Sequence, residues 1–256
     1  MDICQKIRNT LCTLKRIRHL VYNNGIIRRM NSLDIRYEVN PIKIISWNIQ
    51  CLFFYLNPQK IENIIEKLIE FNADIICLQE VFEDHIKKKI NHDVKSIYPY
   101  YLLGNTIKKY KVCEDSGLLI LSKYDINYIG EKYLKGLVLP DSLCNKSILY
   151  FSVGGYYFVT THLQADNFNI SKKQLIDLID NVPFNKYILI GDLNHFEADR
   201  IVNVENNNKT PTNEGMVLDY ILPINYGDIK LNTNVLEIDL TNISDHLPIQ
   251  GEISRE

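Results

Sequence analysis

The feature that most constrains the fold is a series of short apolar, β-rich runs that each end in a polar residue. In the clearest of them, Tyr, Ile, Leu and Ile at residues 187–190 lead into Gly191, Asp192, Asn194 and His195. This pattern predicts a buried strand with an acid, an amide and an imidazole at its carboxyl end. Taken alone, it is equally typical of a strand that leaves through an ordinary Asp/Asn turn. The interpretation therefore depends on how the other runs end.

Two further runs, joined by a helical segment, predict a parallel strand pair. The first leads to Asn48 and the second ends on Glu80. Between them Asn57 and Pro58 are typical of an N-cap and a first helical residue, and apolar residues recur at helical spacing over residues 61–69. Short loops in a strand–helix–strand unit indicate a right-handed crossover between parallel strands. Asn48 and Glu80 are therefore expected at the same edge of one sheet.

The rest of the chain continues the alternation of strands and helices. Residues 147–162 predict a hairpin with a Gly-Gly turn, and His162 lies at its exit. Ser171 and Gln174 form a capping box that predicts the start of the next helix. Polar residues at or near predicted strand ends are Asn48, Glu80, His162, Asp192, Asn194, Asp219, Asp245 and His246. The pattern predicts an α/β sandwich of two mixed sheets covered by helices, with these side chains at one edge.

Composition agrees with an ordinary globular protein and narrows its setting. The formal net charge of −2 on 256 residues argues against nucleic-acid binding by bulk electrostatics, although a local basic groove stays open. The six cysteines contain no C-x-x-C pair, so neither a zinc site nor a disulfide framework is indicated. We find no secretory signal and no apolar stretch long enough for a membrane span. These observations predict an intracellular, reducing setting.

Residues 1–40 differ in character from the rest. Apolar residues recur every three or four positions over residues 1–30 among Lys and Arg, and Asp2 is the only acid before Asp34. The pattern predicts a basic amphipathic helix followed by a polar linker. A helix docked on the main domain is the favoured interpretation, and contact with a membrane surface or nucleic acid is the alternative. Residues 41–256 are predicted to form one α/β domain.

Seven short motifs occur in an order that belongs to a known superfamily. They are WNI at 47–49, LQEV at 78–81, SGLLILSKYDI at 116–126, TTHL at 160–163, GDLN at 191–194, LDYI at 218–221 and SDHLP at 244–248. The series resembles that of the endonuclease/exonuclease/phosphatase superfamily over about residues 42–253. The resemblance implies the deoxyribonuclease I-like fold, a four-layer α/β sandwich of two mixed β-sheets flanked by helices. It also implies that residues 41–256 are a catalytic domain.

The resemblance further implies metal-assisted hydrolysis of a phosphodiester. An anionic phosphodiester repels nucleophiles, so its hydrolysis needs a cation, an activated water and donors for the developing charge. Magnesium prefers oxygen ligands and keeps several waters, so one or two carboxylates suffice. By resemblance Mg²⁺, with Mn²⁺ as a substitute, would bind Glu80 as the main ligand, together with Asn48 and Asp245.

The remaining polar residues would handle protons and bind the phosphate. By resemblance, Asp219 would hold the tautomer of His246 and raise its basicity. Asp192 would orient or deprotonate the attacking water, while Asn194 and His162 would donate to the phosphoryl oxygens. Whether Asp192 or the Asp219–His246 pair acts as the base stays open at this point.

Two departures from the pattern narrow the branch of the superfamily. Gln50 stands where apurinic-endonuclease-like members have a metal-binding aspartate, and the TTHL motif supplies a histidine where that subgroup has a different pattern. Both departures argue against an abasic-site nuclease. LQEVF at 78–82 and THLQAD at 161–166 resemble the neutral sphingomyelinases and the tyrosyl-DNA phosphodiesterase branch more closely.

Three functional hypotheses follow. The first is a magnesium-dependent nuclease or DNA-end phosphodiesterase, whose nucleic-acid groove would include Lys108, Lys109 and Lys111. The second is a lipid phosphodiesterase or phosphatase, sphingomyelinase-like or directed at phosphoinositides, for which residues 1–30 would contact the membrane. The third is a non-catalytic binding module. It is the weakest, because a degenerate member is expected to lose metal or histidine positions that are all present here.

Overall fold

A computed structural model describes residues 41–52, 57–105 and 115–255 of the chain. The predicted helix at residues 1–30 and the three lysines of the predicted basic groove, Lys108, Lys109 and Lys111, lie outside these residues. In the described part of the chain, no helix has both the length and the apolar character that a membrane span requires.

Eleven strands and four α-helices make up the described structure, with one short 3₁₀ helix at Asp141–Leu143. The strands are β1 (Ile42–Cys51), β2 (Ile75–Val81), β3 (Tyr100–Leu103), β4 (Leu119–Ser122), β5 (Asn127–Tyr133), β6 (Ser147–Val153), β7 (Tyr156–His162), β8 (Tyr187–Asp192), β9 (Asp219–Ile224), β10 (Ile229–Val235) and β11 (Ile249–Arg255). The helices are α1 (Pro58–Phe71), α2 (Asp84–Val94), α3 (Phe168–Asn181) and α4 (Ala198–Ile201).

The strands form two mixed sheets. One sheet has the order β10–β11–β1–β2–β4–β3, and the other has the order β5–β6–β7–β8–β9. Each sheet contains one parallel pair, β1–β2 in the first and β7–β8 in the second. The predicted crossover is confirmed, since α1 connects β1 to β2, and the predicted hairpin of β6 and β7 is confirmed as well. Each sheet therefore contributes the carboxyl ends of two parallel strands, the positions where several of the predicted site residues lie.

Three apolar layers hold the sandwich together. Alternate residues of β1 point to opposite faces, so Ile44 packs in the layer between the sheets while Ile45 packs toward α1 and α2. A third layer, which includes Leu175 and Leu189, joins the second sheet to α3. Burying one such side chain contributes about 1.5–3 kcal/mol. The predicted arrangement of helices, two mixed sheets and helices is therefore confirmed.

The start of α3 differs from the prediction. Asn167 caps this helix, which begins at Phe168 and therefore three residues before Ser171. The hydroxyl of Ser171 donates to the carbonyl of Asn194, and the side-chain oxygen of Gln174 accepts from the amide of Gln164. The capping-box pattern was misleading because both side chains make contacts with distant parts of the chain.

Three strands and one loop were not foreseen correctly. The strands β3, β5 and β10 lie at sheet edges and are mostly half-buried or exposed, so their sequences show little of the apolar pattern that marks a strand. The segment 203–215 has the polar composition typical of a surface loop, but Asn206, Asn208 and Thr212 within it are buried. Thr212 accepts hydrogen bonds from the amides of Leu218 and Asp219 and so supports the start of β9.

Candidate active site

The amide of Asn48 links the two sheets at their common edge. Its side-chain nitrogen donates to Glu80 Oε1 and to Asp192 Oδ2, each at 3.1 Å. Glu80 belongs to the same sheet as Asn48, whereas Asp192 ends β8 of the other sheet. The two carboxylates, 112 positions apart in sequence, are thus held on one amide group. The convergence of predicted site residues begins at this contact.

Left-handed backbone conformations gather around this contact. Gln50, Glu80 and Asn194 have φ values of 46°, 60° and 46°. Residues other than glycine rarely adopt this conformation. Each one lowers the stability of the fold by on the order of 1 kcal/mol unless surrounding contacts stabilise it. The amide of Gln50 donates to Asn48 Oδ1, and the β1–β2 register shifts between Asn48 and Cys51. The irregular end of β1 turns these side chains toward the site.

A glycine allows β7 and β8 to stay paired up to the site. Gly191 has φ of 139°, and a Cβ atom there would lie 2.0 Å from the carbonyl oxygen of Thr161. No other residue fits this approach without displacing the backbone. Because the strands stay paired past Gly191, His162 lies directly opposite Asp192.

Asp219 and His246 form a buried hydrogen-bonded pair next to Asp192. His246 Nδ1 lies 2.8 Å from Asp219 Oδ2, and His246 Nε2 lies 3.7 Å from Asp192 Oδ2. All three side chains are at least 93% buried. Since Asp219 holds the Nδ1 side of the ring, Nε2 is the atom turned toward Asp192 and the open side of the site.

The loop that bears His246 is anchored on the end of β1. Trp47 Nε1 donates to the carbonyl of His246 at 2.9 Å, and the Ser244 hydroxyl donates to the carbonyl of Asn48 at 2.6 Å. The amide of His246 in turn donates to the Ser244 hydroxyl. The WNI and SDH motifs therefore act as one structural unit that fixes the position of the imidazole.

Burial and neighbouring charges set the protonation of these groups. Burial works against the charged form of His246, but the carboxylates of Asp219 and Asp192 outweigh it and raise the pKa of His246 to about 10. Burial, together with the nearby charge of Asp219, raises the pKa of Asp192 to about 7. At neutral pH the imidazole is therefore protonated, while Asp192 takes up a proton far more readily than an ordinary aspartate.

Lys146 is a residue of the site that the motif pattern did not identify. It is 1% exposed, forms an ion pair with Asp141 at 2.6 Å, donates to the carbonyl of Leu163 and lies 3.0 Å from His162 Nε2. One signal was available in the sequence, because the predicted hairpin brings the residues around 147 opposite His162. The lysine supplies a fixed positive charge at the exit of β7.

His162 is held as a neutral ring beside this lysine. Burial, then the charges of Lys146 and His246, lower the pKa of His162 well below its usual value. Its Nε2 accepts from the ammonium group and lies 3.5 Å from Asp192 Oδ2 and 3.9 Å from Glu80 Oε1. Its buried Nδ1 has no hydrogen-bond partner among the described residues. The Nε2 atom of His162, which faces the carboxylates of Asp192 and Glu80, is therefore a hydrogen-bond acceptor and not a donor.

Asn194, two residues after Asp192, is fixed by two hydrogen bonds that it donates. Its backbone amide donates to Asp192 Oδ1 at 3.0 Å, and its side-chain nitrogen donates to the carbonyl of Leu163 at 3.1 Å. A side-chain amide nitrogen has two hydrogens, so one donor of Asn194 stays available. Asp192 therefore accepts at both oxygens, from Asn194 and from Asn48.

Glu80 is the carboxylate best suited to a divalent cation. Its Oε1 accepts from Asn48, but its buried Oε2 has no partner within the described ranges. Burial raises the pKa of Glu80, and the hydrogen bond from Asn48 partly offsets this rise. A buried, partnerless carboxylate oxygen is costly unless a positive group completes it. The oxygen donors of Glu80 and Asn48 fit a hard ion such as Mg²⁺.

The third predicted metal ligand, Asp245, shares no hydrogen-bond partner with Glu80 within the described segments. Asp245 is exposed, and its Oδ2 accepts from Gln50 Nε2 at 2.7 Å. A different group, Asp192, Asp219 and His246, has ligand atoms within 4.8 Å of one another. An ion there would need a neutral His246, whereas the neighbouring carboxylates raise the pKa of this imidazole to about 10, so the Glu80 side is the better fit.

Comparison with known proteins places the chain in a family. The chain belongs to the endonuclease/exonuclease/phosphatase family, whose sequence pattern it matches over residues 45–246. This family, together with the two mixed sheets and their shared polar edge, defines the class of hydrolytic phosphoesterases with the deoxyribonuclease I-like fold. The predicted superfamily and fold class are confirmed.

Individual relatives are similar over different extents. Sphingomyelinase C from Bacillus cereus is 31% identical in an alignment of 168 residues, and the match covers 54% of this chain and 49% of that protein. The chain thus spans about half the length of this curated relative. Beta toxin from Staphylococcus aureus, in a variant crystallised with bound magnesium ions, superposes with a TM-score of 0.65 at 20% identity, over 84% of this chain and 100% of that one. The human nocturnin catalytic domain with bound sulfate superposes with a TM-score of 0.63 at 18% identity, over 88% and 96%. The two structural likenesses establish the fold.

Proposed function

We propose that residues 41–256 are a divalent-metal-dependent phosphodiesterase that cleaves its substrate by in-line attack of water. The observation that supports this most directly is the pairing, on one amide group, of two carboxylates with different surroundings. Glu80 has an oxygen without a partner, whereas Asp192 has both oxygens bonded and a pKa near neutrality. One carboxylate suits a cation and the other suits proton transfer.

Glu80 and Asn48 would hold the metal, for which we propose Mg²⁺ with Mn²⁺ as a substitute. The related beta toxin fold with bound magnesium supports this choice of ion. When bound, the ion would neutralise the phosphate and polarise its P–O bonds. Asp245 stays a further candidate ligand at the rim of the site, where it holds Gln50. The cationic Lys60, whose ammonium group donates to the carbonyl of Gln50, would balance part of the local negative charge.

Asp192 would act as the base and His246 as the acid. A carboxylate with a pKa of about 7 can accept a proton from water at neutral pH, and its two hydrogen bonds keep its orientation. As the P–O bond to water forms and the bond to the leaving group breaks, His246, held protonated by Asp219, would give its Nε2 proton to the departing oxygen. The different protonation of the two groups supports this assignment.

A phosphoryl oxygen would be bound by Asn194, and Lys146 would act on the phosphate through its charge. Asn194 has an amide hydrogen available, and Lys146 contributes a buried positive charge close to His162 Nε2. Donors arranged before the reaction stabilise the charge that develops in the transition state. Because Asp141, the carbonyl of Leu163 and His162 take the three hydrogens of the Lys146 ammonium group, we assign Lys146 an electrostatic role and His162 a positioning role beside it.

We propose a lipid phosphodiester as the substrate. The similarity to sphingomyelinase C of Bacillus cereus, 31% identity over 168 residues, favours this class over the nucleic-acid substrates ranked first from the motifs. A nuclease or DNA-end phosphodiesterase is the second candidate. It is favoured by the ring cluster of Phe168, His195 and Phe196, in which two rings are exposed and able to stack on bases.

The experiment compares four substrates under matched conditions. Purified full-length chain is incubated with bis(4-nitrophenyl) phosphate, 5′-end-labelled DNA, a short RNA and sphingomyelin vesicles, each with Mg²⁺ and with chelator. We expect chelator-sensitive cleavage of the soluble diester and of sphingomyelin, lost in His246→Ala and retained in the surface control His92→Ala. Cleavage of DNA or RNA alone would select the nuclease, and no cleavage of any substrate would refute the phosphodiesterase proposal.

Residues 1–40 are proposed as a separate basic extension of this catalytic domain. The proposal rests on the amphipathic pattern of residues 1–30 and on the family match, which begins at residue 45. Deleting residues 1–30 should leave hydrolysis of the soluble diester unchanged and lower binding to anionic vesicles about tenfold. Unchanged vesicle and nucleic-acid binding would make the extension purely structural.

A further inference from the structure

Exposed apolar side chains gather on one side of the candidate active site. Eleven large apolar side chains are exposed among the described residues, and five of them lie on three segments: the connection between β5 and β6, the start of α3, and the loop after β8. We call these five the apolar rim; they are Val138, Leu139, Leu143, Phe168 and Phe196. Leu139 is 71% exposed and Phe196 is 48% exposed. A group of this kind indicates a surface that contacts something other than water.

Hydrogen bonds tie both parts of the apolar rim to the segment that leaves β7. The amide of Val138 donates to Gln164 Oε1 at 2.8 Å, and the amide of Ala165 donates to Asp141 Oδ2 at 2.6 Å. These contacts hold the loop with Val138, Leu139 and Leu143 against residues 163–166. The apolar rim is therefore built on the segment that begins immediately after His162.

The aromatic part of the apolar rim is fixed next to Asn194. The Phe168 and Phe196 rings meet edge to face with centroids 5.2 Å apart, and the His195 ring stacks on Phe196. The hydroxyl of Ser171 donates to the carbonyl of Asn194 at 2.9 Å, which joins the first turn of α3 to the site. The rings thus keep a constant position relative to the reacting groups.

Exposed lysines accompany the apolar rim. Lys135, Lys172 and Lys173 are exposed, and their ammonium groups have no ion-pair partner within the part of the chain that the structure describes. Lys172 follows Phe168 by one helical turn, so both lie on the same face of α3. The acids of these segments that reach the surface are Glu197, which is paired with Arg200, and Asp166, so the three lysines leave a net positive charge. Apolar side chains next to uncompensated lysines match the boundary between acyl chains and phosphates.

We propose that the apolar rim inserts into the surface of a bilayer of phosphodiester lipids and seats the active site over the headgroups. This inference rests on the proposed function and adds how the substrate is reached. Three of the five members are aliphatic and have no π face for a base to stack on, whereas the acyl boundary stabilises aliphatic and aromatic side chains alike. The observations therefore favour a bilayer over nucleic acid as the occupant.

The test uses the full chain and two matched double variants. The rim variant is Leu139→Ser/Phe196→Ser. The control variant, Ile69→Ser/Tyr100→Ser, removes one aliphatic and one aromatic side chain of comparable exposure, 43% and 40%, on α1 and β3. Partition is measured by sedimentation with vesicles of sphingomyelin and phosphatidylcholine in chelator. Because these vesicles carry no net charge, the basic residues 1–30 contribute little to the binding.

We expect the partition coefficient of the rim variant to fall about tenfold or more, with the control variant equal to the wild type. With Mg²⁺, vesicle hydrolysis by the rim variant should fall in parallel, while hydrolysis of bis(4-nitrophenyl) phosphate stays unchanged. The single variant Leu139→Asp, at the most exposed position, should show the same split between substrates.

Other results would overturn the inference. Wild-type chain that does not partition, or rim variants that partition like the wild type, would show that the apolar rim does not bind the bilayer. Loss of binding to labelled single-stranded DNA with unchanged vesicle partition would assign the apolar rim to nucleic acid. Failure of the proposed function is recognised separately, because then the wild type hydrolyses neither vesicles nor the soluble diester.

Discussion

The two parallel strand pairs of the molecule end in different ways. Both place two polar side chains at their carboxyl ends, Asn48 and Glu80 on β1–β2, and His162 and Asp192 on β7–β8. In the first pair the register shifts, Glu80 has a left-handed backbone, and its Oε2 has no partner among the described residues. In the second pair the register continues to the last residues, and both oxygens of Asp192 accept hydrogen bonds.

This difference indicates how the work is divided between the sheets. A buried oxygen without a partner costs free energy, so it is expected where a bound cation completes the site. A carboxylate with both oxygens bonded keeps its position while it gains or loses a proton. The irregular pair is therefore the candidate for metal binding and the regular pair is the candidate for proton transfer. Four predictions test this division.

The largest effect is expected from the acid on the proton-transfer side. His246→Ala should lower kcat for the soluble diester by about 10³-fold, because the protonated donor is lost. The alanine variant also leaves the buried carboxylate of Asp219 without its hydrogen-bond partner. His246→Gln is therefore the matched variant, because its side-chain amide can still donate to that carboxylate. Both should lose turnover, with the glutamine variant closer to the wild type in its thermal midpoint. Near-normal kcat in either variant would break the proposed division.

On the metal side, Glu80→Gln should lower kcat/KM by about 10²-fold at a fixed magnesium concentration. Mg²⁺ should raise the thermal midpoint of the wild type but not that of the variant, because an ion that binds only the folded state stabilises it. Glu66→Gln, at an exposed position of α1, is the control. If the magnesium effect survived in Glu80→Gln, the ion would have to be assigned elsewhere, with Asp192, Asp219 and His246 as the first alternative.

A smaller effect on stability is expected at Lys146, which supports the second strand pair. Lys146→Met should lower the free energy of unfolding by about 3 kcal/mol, because it leaves the mostly buried Asp141 without its ion-pair partner. The double variant Lys146→Met/Asp141→Asn should recover much of this loss. Chemical denaturation measures both effects, and equal destabilisation of single and double variants would show that the ion pair is not the cause.

The smallest effect, counted per pH unit, concerns the pH dependence of stability in chelator. Burial and Asp219 raise the pKa of Asp192 to about 7, above ~3.9 in the unfolded chain. The folded protein therefore binds this proton more tightly, and ionisation of Asp192 lowers stability as pH rises from about 4 to about 7. Asp192→Asn should gain stability relative to the wild type over this window, by at most about 1.4 kcal/mol per pH unit. A difference that stays flat with pH would place the pKa of Asp192 at an ordinary value.

Most of the framework could be predicted from the sequence. The strands β1, β2, β6, β7 and β8 and the helix α1 are encoded by local apolar periodicity, which depends only on neighbouring residues. The ordered motifs identified the family, and the strand ends identified Asn48, Glu80, His162, Asp192, Asp219 and His246 as members of one edge. Edge strands escaped prediction because they bury too little apolar surface to show a pattern.

The sequence by itself determined most of the residues that meet at the edge of the sandwich; the tertiary structure added Lys146 and decided what each can do there. Asp245 faces Gln50, and Lys146 occupies the nitrogen of His162 that was expected to donate. The protonation of Asp192 and His246 depends on burial and on charges that approach only in the fold. Local patterns specify strands because backbone geometry is local, whereas hydrogen-bond partners and pKa values depend on distances between residues far apart in sequence.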